Sequence, residues 1–97
     1  MKKEKLKITE SCGNVFLDLG FSPEEATILA MRSQLMGELR IRIRDQKWTQ
    51  AEAAKVLSIS QSRVSDLIRG KWDKFSLDML ITLATRAGKK VELKLAA

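Results

Sequence analysis

The chain has no histidine, no tyrosine and a single cysteine, Cys12. One cysteine cannot close an intramolecular disulfide, and no CxxC or Cys/His cluster exists to hold zinc. A reducing cytoplasm is the simple reading of such cysteine usage. Glycine-loop chemistry is missing too: Arg69-Gly70-Lys71 lacks the upstream glycine spacing of a phosphate-binding loop, and no pair of carboxylates is placed to share a cleft. No catalytic residue, metal or cofactor is assigned, and an enzyme is not expected. No apolar run approaches the length that crosses a membrane. The Met-Lys-Lys start resembles a secretory n-region, but Lys5 and Lys7 interrupt any apolar core, so no signal peptide is expected. Aromatic residues are only 5%, which suits a helical domain better than a sandwich.

What is present is positive charge on a small chain. Lysine and arginine number 18 against 12 acids, a formal charge of +6, and the pI is near 9.8. Such a balance favours a polyanionic partner, nucleic acid first. Ninety-seven residues with a 44% apolar share make one small domain around one core.

The stretch from Thr49 to Lys71, TQAEAAKVLSISQSRVSDLIRGK, organises the rest. It reads as two short helices, Gln50 to Leu57 and Gln61 to Arg69, joined by a tight turn. Thr49 with Glu52 fits a capping box. Ser60 caps the second helix, and Gly70 stands where a helix ends in a left-handed residue. Ala54 is small where two crossing helices meet. Val64, Leu67 and Ile68 form an apolar back on the second helix. Ser62, Ser65, Asp66 and Arg69 face the other way, with Gln61 and Arg63 at the exposed N-terminal end. An apolar back with short polar side chains in front is the layout of a helix that enters a major groove.

On these residues the chain resembles the phage-repressor-like helix-turn-helix domains, and more narrowly the HigA-type antitoxins of bacterial toxin–antitoxin pairs. The residues are Asn14-Val15-Phe16, Asp18-Leu19-Gly20, TQAEAA, Gln61, Val64-Ser65-Asp66-Leu67, Arg69-Gly70-Lys71, Phe75-Ser76-Leu77 and Leu80. The turn departs from the family pattern, which carries glycine where this chain has Ser58. A left-handed residue with a side chain costs on the order of 1 kcal/mol there.

The resemblance implies autorepression of the protein's own operon and a partner toxin of the mRNA-cleaving HigB or RelE type. It also implies DNA contacts at Gln50, Ser60, Gln61, Ser62 and Arg63. From the groove face itself, Gln61 can read adenine, and Arg63 either reads guanine or holds a phosphate. Gln50 can hold a phosphate at the start of its helix. Ser65, Asp66, Arg69 and Lys71 complete the candidate set. Asp66 accepts from cytosine or fixes an arginine. Two other readings stay open: a free-standing regulator with no toxin, and a toxin-binding inhibitor whose DNA face is vestigial.

The flanks carry the remaining expectations. Residues 1–21 form an N-terminal arm and apolar segment, and residues 22–97 the helix-turn-helix domain. Lys5 to Thr9 is either a short edge strand or a solvated tail. Phe16, Leu19 and Phe21 belong to an apolar patch that is either a lid on the domain or a docking segment for a partner. The patch is too short to be a stable helix alone. Ser22-Pro23-Glu24-Glu25 starts a long helix running to about Gln46, with a stripe of Ile28, Leu29, Leu35, Met36, Leu39 and Ile43. Arg32, Arg40, Arg42 and Arg44 lie off the stripe and read either as a solvated face or, near the end of the helix, as contacts to DNA backbone. Trp72 is either a cover on the core or an interface residue. Ser76 caps a last helix marked by Leu77, Leu80, Ile81 and Ala84, which Gly88 stops. Val91, Leu93 and Leu95 then alternate with charge, a half-buried strand that needs a partner. Lys5 to Thr9 or the same strand of a second subunit can supply it. The expected fold is mainly α, a five-helix-type repressor-like domain with a short C-terminal β-strand. The expected assembly is a homodimer on a palindromic operator in double-stranded DNA.

Overall fold

The computed structural model describes residues 14–96. A one-turn helix, α1 (Val15–Asp18), comes first. So short a helix is unstable by itself, and Asn14 holds it from outside. Its Oδ1 accepts from the Phe16 N–H at 3.0 Å, while its Nδ2 donates to the Ala26 carbonyl at 3.2 Å. Ser22 then opens α2 (Pro23–Gln46) with a capping box closed by Glu25. At about 1.5 Å per residue, α2 is about 36 Å long, close to the 38 Å long dimension of the molecule. It is the spine on which the other helices pack.

α2 ends at Lys47, which takes a left-handed conformation with φ 58°. The Thr49 capping box follows. Its Oγ1 accepts from the Glu52 N–H at 3.1 Å, and Glu52 Oε1 accepts from the Thr49 N–H at 2.8 Å. Two eight-residue helices come next, α3 (Gln50–Leu57) and α4 (Gln61–Ile68). Ser58 between them is left-handed, φ 58° and ψ 45°. A 3-10 turn (Trp72–Lys74) leads to α5 (Leu77–Arg86), capped by Ser76.

The core joins Met36, Leu39 and Ile43 of α2 to Leu57, Val64, Leu67, Phe75, Leu80 and Leu83. Several sequence expectations shift here. Ala53 is the fully buried small residue of α3, with Ala54 half-buried beside it. On α5 the buried set is Leu80, Leu83 and Ala84, so its stripe is rotated away from Ile81, which is 38% exposed. Ile28 is exposed as well, because the core against the first turns of α2 is only Phe16, Ala26 and Leu29.

Two arginines are structural rather than solvated. Arg42 Nε donates to the Ala87 carbonyl at 2.9 Å, and Arg86 Nη1 donates to the Leu57 carbonyl at 2.9 Å. Each satisfies a carbonyl at a helix end, where no backbone donor remains.

The C-terminal strand is a correction. Among the described residues there is no strand, and 89–96 have no regular secondary structure. Open ladder groups need a partner strand, and no described segment lies in position to be one. Lys5 to Thr9 falls outside the described residues. No helix of the described residues is long and apolar enough to cross a membrane.

Candidate nucleic-acid interface

The candidate face is built on α4. Ser60 starts it: its Oγ accepts from the Arg63 N–H at 3.2 Å. Val64 and Leu67 are completely buried and pin one side of the helix to the core. At 3.6 residues per turn, Ser62, Ser65 and Arg69 then point away from the core, and Gln61, three residues before Val64, projects sideways from the open first turn. Gln61, Ser62 and Arg69 are exposed, and Ser65 is half-buried. Gln50 is exposed in the first turn of α3, just after the Thr49 cap. Exposed or half-exposed polar residues thus line α4 at Gln61, Ser62, Ser65 and Arg69, with Gln50 exposed at the start of α3.

Two members of the set are engaged within the fold. Arg63 lies on the flank of α4 next to the buried edge. Its Nη1 donates to the Lys74 carbonyl at 3.0 Å, and its guanidinium carbon sits 5.7 Å from the centroid of the Phe75 ring. A guanidinium over an aromatic face is an attractive arrangement. In this conformation the exposed Arg63 braces the loop after α4. Asp66, half-buried, pairs with Lys71 at 3.9 Å rather than with an arginine. The Lys71 N–H donates to the Asp66 carbonyl at 3.0 Å. Thus both side chains tie α4 to residues 71–75.

That loop is anchored a second time through Trp72. Its ring packs edge-on against Phe16, centroids 5.5 Å apart, and against Phe21 at 6.4 Å. Trp72 is a cover, and it joins the main core to the cluster under α1. Phe16 is buried and Phe21 half-buried, which places both in the lid role. Leu19 is 66% exposed, and Val15 and Leu17 are exposed beside it. Of the C-terminal candidates, Val91 is 38%, Leu93 77% and Leu95 89% exposed.

Arg40 was not among the candidates and stands close to the site. Its Nη1 lies 3.5 Å from where a Cβ on Gly70 would sit. It reaches the C-terminal end of α4 beside the exposed Arg69 and Lys71. Gly70 has φ +75°, so the chain turns here in a conformation that favours glycine. Among the described residues, no group of three histidine, cysteine, aspartate or glutamate side chains is placed to share a metal ion.

Against this geometry, comparison with known proteins is brief. A family model described as a helix-turn-helix domain matches residues 15–96. No curated protein matches the chain.

Proposed function

The chain belongs to the helix-turn-helix domain family, a DNA-binding fold, and from that membership we propose that it is a sequence-specific transcriptional repressor. The observation that carries this is the split of α4: Val64 and Leu67 wholly buried, Gln61 and Ser62 fully presented. A helix held so firmly by one side offers the other to a major groove. Gln61 reads a base edge, with adenine as its natural partner. Ser62 and Ser65 are short and let the helix sit deep. Arg69, Lys71, Lys74 and the first turn of α3 at Gln50 meet phosphates. The protein acts as a homodimer on a palindromic site.

The narrower reading is an antitoxin that represses its own operon and neutralises an mRNA-cleaving toxin of the HigB or RelE type. It rests on the family resemblance and on the exposed Val15, Leu17 and Leu19, apolar side chains on and just after α1 that a protein partner would cover.

The test is fluorescence anisotropy on a duplex from the protein's own upstream region, beside a scrambled duplex. Gln61→Ala removes one base contact in each half-site, so binding of the dimer to its own site is expected to weaken by about 30-fold or more, at roughly 1–3 kcal/mol per contact. It should also relax preference at one base pair in each half-site. Arg63→Ala should weaken binding to all site variants alike, because it loosens the loop rather than removing a base contact. Equal binding of the wild type to both duplexes would sink the repressor reading and leave the vestigial-face inhibitor.

A further inference from the structure

The C-terminal tail has two different sides. Lys90 Nζ lies 3.4 Å from Glu92 Oε2, so these residues two apart share a side, as in a strand. Val91 lines a groove with Leu35, Leu39 and Ala84 that Lys90 and Glu92 also border, and the alternation of charged and apolar residues from Lys90 to Leu95 is that of a strand with two unlike sides. The apolar side continues beyond the body at Leu93 and Leu95, which no described residue covers.

We propose that residues 90–96 pair antiparallel with the same residues of a second copy, in the register that places Leu93 opposite Leu93 on the two-fold axis. This rests on the dimeric reading above and specifies it. Charge selects the register. With Leu93 on the axis, Glu92 stands directly opposite Lys94 of the second copy, twice by symmetry, and Val91 stands opposite Leu95. Moving the axis to Glu92 sets Glu92 against itself and Lys90 against Lys94. Moving it to Val91 also pairs Glu92 with Lys90, but it sets Leu93 against Lys89 and drives Leu95 toward Ala87, at the buried end of α5. An axis between two residues would place apolar side chains opposite charged ones. Opposite charges directly across a pair stabilise it and like charges destabilise it. An isolated two-stranded ribbon is marginal in water, and the seating of Val91 on α2 and α5 supplies the missing support.

Charge reversal tests this. Glu92→Lys and Lys94→Glu, each exposed and outside the core, are purified separately and mixed. Self-association is followed by sedimentation equilibrium, with circular dichroism as the check on folding. The wild type is expected to dimerise. Each single variant is expected to self-associate roughly tenfold or more weakly, since two attractive pairs become two repulsive ones. The equimolar mixture is expected to recover dimer, because one copy then offers lysine at both positions and the other glutamate at both, so each cross-strand pair again joins opposite charges. A monomeric wild type, single variants that dimerise like it, or a mixture that recovers nothing would each overturn the proposal. Specific DNA binding by the wild type, read separately by anisotropy, would leave the repressor reading standing in each of those cases.

Discussion

Ser58 joins two helices in a conformation that residues with a Cβ avoid. Its φ of 58° carries a cost of about 1–2 kcal/mol for an L-residue. Replacing it with glycine relieves that strain but adds freedom to the unfolded chain worth about 0.5–1 kcal/mol. Ser58→Gly is therefore expected to stabilise the fold by about 0.5–1 kcal/mol, read as a higher urea midpoint at unchanged slope. Ser58→Val should lower the midpoint, since a branched side chain at positive φ is worse still. An unchanged midpoint in both variants would mean the turn is not strained. Lys47 holds the same conformation without any family pattern to signal it. Arg63 marks another limit of residue-level reading. Its side chain reads equally as a base reader or a phosphate holder, and the deciding partner, the Lys74 carbonyl, lies eleven residues away.

At the scale of elements, legibility followed distance along the chain. The caps at Ser22, Thr49, Ser60 and Ser76 are local, a side chain meeting an amide three residues on, and their positions were readable. The apolar back of α4 was readable at Val64 and Leu67 but not at Ile68, which is 37% exposed. The register of α5 was less readable, because Ile81 and Leu83 are both apolar and only packing against α2 and α3 selects Leu83. The carbonyl partners of Arg42 and Arg86 lie 45 and 29 residues away and leave no local pattern. The one-turn α1 depends wholly on such distant support. Trp72→Ala removes the rings' shared contacts and is expected to destabilise the protein by about 2 kcal/mol. That is below the 3–5 kcal/mol of a fully buried aromatic, because Trp72 is only half-buried. Amide exchange should rise across 15–21 before it rises in α4 or α5, as expected of a low-stability unit. Uniform loss of protection would show α1 to be an integral part of the core.

For the whole molecule, the formal charge of +6 overstates what DNA can use. Arg42, Arg63 and Arg86 are engaged with main-chain carbonyls, and Lys71 shares its charge with Asp66. Around α4 that leaves Arg40, Arg69 and Lys74, with Lys71 partly engaged, roughly three phosphate contacts per protomer. At about 0.9 counterion released per contact, log K for a dimer should fall with log salt at a slope of about −5. A slope steeper than about −10 would mean that the arginines engaged inside the fold, or residues 1–13, also reach the DNA.

Trp72 sits where the loop behind the reading helix meets the rings of Phe16 and Phe21. The chain has no tyrosine and one other tryptophan, Trp48. With Trp48 replaced by phenylalanine, the protein's ultraviolet emission would come from that joint alone. The molecule then carries its own optical probe, needing no dye. One titration with DNA and one with a protein partner would show whether either ligand disturbs the seam between the reading helix and the N-terminal segment.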